Sequence, residues 1–455
     1  MKDLTKGNTF LILFKFAIPL IIAGVVAQSY NLIDLIVAGN FIGSDALSAT
    51  GCTSTLIQFL SSLFWGFGVA VSSIVGKLYG SKQYERIPVV IKTVSIFVSG
   101  LMALLCVGFI IFSRQTLVLL KVDEEIFEAA NSYFRIFMVS LFIQALTYIW
   151  TCTLQSLGDS LYPMAMTLVS GLGNIGLNLL FVITFNMGIN GLAYASILSC
   201  LISLIMGAIR ILVYIKKLGG NYRLEFSFFE LKKVSKLALP CILQQCSLYL
   251  SSVVVQPLIN NMGKQVSGGY AIAMNVNTFL NAIYHNISRA VSAYVAQSKG
   301  AKQYNNYKKG VFIGIVQQLC FVIPLTIICI VFANPIFSIF MRDNDVSCLP
   351  YATQFAYICI PFLVFSALGN LMHSFYKSVG AVKSVLFSTI VFSIARIVLS
   401  YLIPNVDLIN NIYWGLALAW IIEDLLLIGI YFIGIWKTNN HKLYESSLKN
   451  NKESR

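Results

Sequence analysis

The chain has 455 residues, 57% hydrophobic and only 11% charged, with 32 Lys and Arg against 18 Asp and Glu, a formal net charge of +14. A soluble domain carries roughly 25% charged residues, so a water-soluble globular fold is excluded and no room for a soluble catalytic domain is expected. The cations are scattered over short segments rather than gathered on one face with interleaved aromatics, which argues against nucleic-acid binding.

A membrane-spanning helix needs about 20 largely apolar residues. Twelve such runs occur, near 10–38, 48–76, 88–112, 132–154, 161–184 and 190–215, then near 236–260, 267–297, 310–333, 350–375, 381–403 and 412–436. The first run is too long for the apolar core of a signal peptide and lacks a small-residue cleavage site, so it counts as a helix. The two sets of six echo one another. Ala17-Ile18-Pro19 returns as Ala238-Leu239-Pro240, Gly80-Ser81-Lys82-Gln83-Tyr84 as Gly300-Ala301-Lys302-Gln303-Tyr304, and Ser156-Leu157-Gly158 as Ser378-Val379-Gly380. An offset of 220–222 held over three landmarks implies duplication. With six runs per half, both halves begin on the same side, so the repeats are parallel. The expectation is an all-α integral membrane protein of twelve transmembrane helices in two parallel-related six-helix bundles. Such repeats commonly rock about a central site in secondary transporters.

The expected organisation is an N-lobe over 1–215, a linker over 216–236, a C-lobe over 237–437 and a polar tail over 438–455. Phe226, Phe228 and Phe229, interleaved with charges, predict a short surface helix within the linker. Pro19, Pro240, Pro257, Pro324 and Pro361 fall inside runs and predict bends. Lys2, Lys6, Lys77, Lys82, Arg86, Lys216, Lys217, Lys299, Lys302, Lys377 and Lys383 fall at one set of run ends. Asp45, Asp123, Glu124, Glu125, Glu128, Asp343, Asp345 and Asp407 fall at the other. The positive-inside rule then predicts a multi-pass protein of the cell membrane with both termini cytoplasmic. The ten cysteines are mostly isolated in apolar runs, with no C-x-x-C pair, and read as small buried hydrophobes.

Ionisable groups within hydrocarbon cost about 3 kcal/mol on insertion scales, so each one calls for a reason. In the first run Asp34 shares a helical face with Tyr30 and Asn31. A buried carboxylate suits the loading and release of a proton, and a structural Asp satisfied by a neighbouring hydroxyl is the alternative. The fifth run adds Asn174 and Asn178 on one stripe, and the sixth adds Ser196. Together these could form an oxygen-lined cation pocket or a hydrogen-bonded proton site, or they could be interhelical packing contacts. The second half carries Arg289, Arg396, Glu423 and Asp424. Counting the rise per residue from the nearest loop puts Arg289 and Glu423 at similar depth, which predicts an ion pair between them. No phosphate loop G-x-x-x-x-G-K-[ST], no H-E-x-x-H and no G-x-S-x-G occurs, and His285, His373 and His441 are far apart. Neither ATP-driven work nor an enzyme is expected.

Several stretches together resemble the multidrug and toxic compound extrusion (MATE) family across about residues 4–437. They are Ala17-Ile18-Pro19-Leu20, Asn31-Leu32-Ile33-Asp34 with Ala38-Gly39, Asp45-Ala46-Leu47-Ser48-Ala49 and Gly80-Ser81-Lys82-Gln83-Tyr84. Ala130-Asn131-Ser132-Tyr133-Phe134-Arg135-Ile136, Gln155-Ser156-Leu157-Gly158-Asp159 and Gln297-Ser298-Lys299-Gly300-Ala301 complete the set. The resemblance implies a V-shaped antiporter that exports bulky amphipathic, often cationic, drugs or metabolites against inflow of H⁺ or Na⁺. In the bacterial branch with an N-lobe aspartate, the coupling residue matches Asp34, the fifth-helix Asn matches Asn174, and the sixth-helix hydroxyl matches Ser196. Where that branch commonly has a second Asp, this chain has Asn178. Another branch carries C-lobe acids in its seventh and tenth helices; here the seventh has Gln244 and Gln245. The expected coupling ion is H⁺ or Na⁺, with no other cofactor and no metal beyond Na⁺ at Asp34. The expected partners are small amphipathic molecules and the bilayer, and the expected state is a monomer. The competing expectation, from the same superfamily, is a lipid-linked oligosaccharide flippase whose central cavity carries cations such as Arg289 and Arg396.

Overall fold

Two helices, one from each half, meet so closely that no side chain fits between their ends, and the rest of the chain is arranged around that contact. The computed structural model describes residues 2–120, 122–221, 223, 225–339, 346–402, 408–434 and 436–437. The expected acidic positions Asp343, Asp345 and Asp407 and the 438–455 tail lie outside the described residues. The first half contains α1 (Thr9–Val37), α2 (Ser44–Gly80), α3 (Arg86–Ile111), a short α4 (Ser113–Leu119), α5 (Glu124–Ser156), α6 (Leu161–Leu179) and α7 (Gly188–Lys217). The second contains α8 (Phe228–Asn260), α9 (Lys264–Gly300), α10 (Asn305–Val331), a short α11 (Ala333–Ser338), α12 (Leu349–Ile358), α13 (Leu363–Val379), α14 (Val382–Leu402) and α15 (Leu408–Ile433). Eleven spans among the described residues are long and apolar enough to cross a bilayer, with α12 and α13 forming one of them. The twelfth, α9, has the length, at 37 residues, but carries Asn275, Asn277, Asn281, His285, Asn286 and Arg289.

The tenth run is not a continuous bent helix. Pro361 lies in a 3₁₀ turn, Ile360–Phe362, that separates α12 from α13; proline lacks the N–H an α-helix needs and clashes with the preceding turn. Among the described residues, the expected surface helix of the linker is also not a separate element. Phe228 and Phe229 open α8, where the Ser227 hydroxyl caps the Glu230 N–H at 3.4 Å. Glu230, inside that first turn, pairs with Arg86 at the start of α3.

The duplication is visible in the backbone. Lys82 and Lys302 both adopt positive φ, at 59° and 58°, and Gly43 and Gly263 precede α2 and α9 with φ of 123° and 95°. A Cβ on Gly80 would lie 1.9 Å from the Gln297 carbonyl oxygen, and one on Gly300 would lie 2.0 Å from that of Lys77. Around this crossing, Gln297 accepts from Leu4 N at 2.9 Å and donates to Ser156 O at 2.8 Å. Ser73 donates to the Lys377 and Ser378 carbonyls at 3.2 and 3.3 Å, and Lys299 donates to the Val379 carbonyl.

Apolar packing forms three large clusters. One gathers α2, α3, α5 and the ends of α6 and α7, together with Val234 and Ala238 of α8. A second gathers α8, α9, α10 and α12–α15. The third joins Leu4, Leu13, Phe16 and Leu20 of the N-terminal segment to α9, α10, α13 and α15. Thus α1 starts against the second half and ends against α6 of the first.

Asp159, between α5 and α6, closes a knot at the end of the first half. Its carboxylate accepts from Arg210 Nε and Nη2 at 3.0 and 2.7 Å, from the Tyr214 hydroxyl at 2.5 Å and from Tyr162 N at 3.1 Å. Burial pushes this carboxyl up, but the bonds from Tyr214 and Arg210 outweigh it and hold Asp159 below the ordinary carboxylate range. A folded-state value below the unfolded one stabilises the protein above the ordinary carboxylate range, and that contribution is lost as pH falls through the depressed value.

Two outcomes are expected in purified protein. Gly80→Ala or Gly300→Ala should destabilise the fold by about 1–3 kcal/mol through overpacking; Gly108→Ala, with nothing within 4 Å of its added methyl, should not, as thermal unfolding would show. Asp159→Asn should lower the melting temperature at pH 7, with the gap to wild type closing as unfolding is repeated at progressively more acid pH.

Candidate functional site

Two cavities open between the helices. The first, about 550 Å³, lies among α1, α2, α5, α6 and α7 and is closed on its far side by α8, α9 and α13. The second, about 790 Å³, lies among α8, α9, α13, α14 and α15, with Gln58 of α2 at its edge. Gln245, His285 and Lys377 line both, so the two are adjoining chambers.

Beside the first chamber, Asp34 accepts a hydrogen bond from the side-chain amide of Asn178. The same amide N–H₂ lies 3.0 Å from Asn174 Oδ1; Asn174 donates to Ser199 Oγ at 3.3 Å, and Ser199 donates to the Ser196 carbonyl at 3.1 Å. Helical spacing makes this chain possible: Asn174 and Asn178 are one turn apart on α6, as Ser196 and Ser199 are on α7. The hydroxyl in contact with Asn174 is that of Ser199, and Ser196 takes part through its backbone carbonyl. Tyr30 and Asn31 line the first chamber, with the Tyr30 ring packed over Gly171, whereas Asp34 lines neither chamber. Asn178 Oδ1 is buried and has no hydrogen-bond partner among the described residues. Both helices widen into π-helical turns just beyond this bond, Ala38–Ile42 after α1 and Leu180–Thr184 after α6. Val37, Ala38, Val182 and Leu192 pack together there. Single π turns of this kind often occur at functional sites.

In the second half, the predicted Arg289–Glu423 ion pair does not form. Arg289 turns towards α5, with Nη2 3.5 Å from Cys152 Sγ and its guanidinium 5.7 Å from the Tyr148 ring centre. Glu423 lies instead 3.1 Å from His373 Nε2, which is also 3.1 Å from Ser388 Oγ, and 3.4 Å from the Thr389 hydroxyl. Counting residues fixes depth in the membrane but not the direction a side chain takes around its helix. Arg396 donates to the hydroxyls of Ser251, Ser252 and Tyr270 at 3.3, 3.0 and 3.2 Å. Asp424 is buried with Oδ2 unpartnered among the described residues, close against Gly369. Lys377, counted among the loop cations, belongs to α13 and lines both chambers. Ser199, His373 and Lys377 are the site residues that sequence reasoning missed. For Lys377 a signal was available, since His373 lies one turn before it on the same helical face.

Duplicated halves of membrane-length helices enclosing two adjoining polar chambers are the architecture of a multi-pass membrane transporter. A family model described as MatE matches residues 19–180 and 240–402, and the chain belongs to that family. It is 25% identical over 342 residues to the probable multidrug resistance protein YoeA of Bacillus subtilis strain 168, covering 72% of this chain and 73% of that one. It is 23% identical over 342 residues to an FAD transporter of Shewanella oneidensis, covering 74% and 75%. The fold matches the crystal structure of a mutant of the Vibrio cholerae MATE transporter VcmN with a TM-score of 0.89 at 19% identity, covering 95% of this chain and 98% of that one.

Double-mutant cycles should separate the two pairings. His373→Ala with Glu423→Gln should couple by about 0.5–3 kcal/mol, whereas Arg289→Gln with Glu423→Gln should be additive within about 0.5 kcal/mol, both measured by unfolding.

Proposed function

We propose that the protein is a secondary active antiporter that exports bulky amphipathic drugs or metabolites, driven by inward movement of H⁺ or Na⁺ at Asp34. The observation that carries this reading is the Asp34–Asn178–Asn174–Ser199 chain, which ties α1 to α6 and α7 beside a chamber large enough for a drug-sized molecule. An ionised carboxylate only accepts hydrogen bonds, and the amide of Asn178 supplies the donor. Protonation makes Asp34 a donor, and the unpartnered Asn178 Oδ1 is the acceptor within reach once the amide turns over. The turn breaks and remakes the bond to Asn174, so the charge on Asp34 is coupled to how three helices pack. Na⁺ would draw on the same oxygens of Asp34, Asn174 and Asn178, with one negative charge to balance it. Each cation moved inward down a membrane potential supplies about 2.3 kcal/mol per 100 mV, enough to sustain a substantial substrate gradient.

In this reading the two lobes, 1–215 and 237–437, move against each other as a monomer in the cell membrane with both termini cytoplasmic. The contact between Gly80 and Gly300 is the end that separates when the chamber opens inward. A second reading, a lipid-linked oligosaccharide flippase, is favoured by one feature: Arg289 makes no ion pair among the described residues. It predicts that lipid-linked saccharide remains bound to purified protein.

Proteoliposomes loaded with cationic and anionic amphipathic dyes test the coupling. A pH gradient or a Na⁺ gradient, imposed separately, should drive efflux in wild type, and Asp34→Asn should lose the gradient response while keeping its unfolding profile. Undiminished gradient-driven efflux in Asp34→Asn would sink the mechanism.

A further inference from the structure

The charge on the walls of the first chamber is one-sided. Arg289, Lys377 and His285 line it, and among the described residues no Asp or Glu does. Arg289 is permanently charged, and an unpaired guanidinium at this depth is costly. Among the described residues its side chain meets a thiol, that of Cys152, and the face of Tyr148, neither of which neutralises it. His285 sits one turn before Arg289 on α9, so both project from one face, while Lys377 comes from α13 at the boundary with the second chamber. The acids nearest in the fold are committed elsewhere or set back. Glu423 lines the second chamber and is held by His373 and Thr389, Asp424 lies in the same chamber against Gly369, and Asp34 lies outside both chambers.

We propose that the first chamber is an anion site: the carboxylate or phosphate of an amphipathic substrate binds Arg289 and Lys377 while its ring system rests on Phe64, Trp65 and Tyr148. The guanidinium fork matches a carboxylate or phosphate with two parallel N–H bonds, and the neighbouring aromatic walls accept a planar apolar body. The substrate is therefore an organic anion, where the family resemblance implies amphipathic compounds that are often cationic. This rests on the reading of the chamber as the transport path. The same chemistry could be presented by a soluble molecule or by a lipid-linked pyrophosphate.

Binding without any gradient tests the site, so its failure is distinct from failure of ion coupling. Full-length protein in phosphatidylcholine nanodiscs should bind carboxyfluorescein at least tenfold more tightly than rhodamine 6G, a cation of similar ring system, by fluorescence anisotropy. Arg289→Gln should weaken carboxyfluorescein binding at least tenfold and leave rhodamine 6G unchanged, and Arg289→Lys should restore part of the loss. Lys377→Gln should weaken the same dye and serves as the deciding variant if Arg289→Gln fails to fold. Tighter or equal binding of rhodamine 6G by wild type, or unchanged carboxyfluorescein binding in the folded variants, would overturn the proposal. Displacement by naphthyl phosphate but not by a polyprenyl pyrophosphate assigns the site to a soluble anion, and the reverse assigns it to a lipid; displacement by neither overturns it.

Discussion

Backbone against backbone, where α2 crosses α9 at Gly80 and Gly300, is the contact on which the architecture depends. An added methyl at either position would collide with a carbonyl of the partner helix, so this crossing exists only because both residues lack a side chain. The close approach lets Gln297 reach both the N-terminal segment and the end of α5, and it brings Ser73 and Lys299 within reach of the carbonyls that end α13. Five segments far apart in sequence are thus held at one end of the molecule, while the chambers remain open between the helices. The two halves obey the same local rule here because they descend from the same sequence.

Much of this was legible in the chain. The 220-residue offset linked the two glycine hexads, and the matched positive φ of Lys82 and Lys302 is its structural counterpart. Twelve apolar runs anticipated twelve spans, of which eleven are single long helices among the described residues and one is broken into α12 and α13. What resisted was breakage and register within a run. Pro361 divides a run that hydropathy leaves whole, and Phe228 and Phe229 look amphipathic in isolation but begin a helix continuous to Asn260. Hydropathy averages over a window, whereas a proline or a capping serine acts at one residue.

The polar network was legible to the same degree and for the same reason. Spacing of one turn placed Asn174 with Asn178, and burial marked Asp34, since both follow from a single helix. Choosing between Ser196 and Ser199, or finding the partner of Arg289, requires knowing how two helices are rotated about their own axes. That information resides in the packing of many side chains. Lys377 was misassigned because a rule about loops counts every cation near a run's end, including one that points back into the interior.

Helix α9 has a consequence for how the protein is made. Its asparagines, histidine and Arg289 keep it below the apolarity that eleven other spans reach, and a single arginine at mid-membrane costs about 2.5–3.5 kcal/mol during insertion. Such a segment partitions poorly from the translocon on its own. In the folded protein its polar face is covered by the chambers and by the helices that line them, α1 and α13 among them. The stability of this span therefore depends on partners supplied by both halves, so the helix is settled only once the two halves have met.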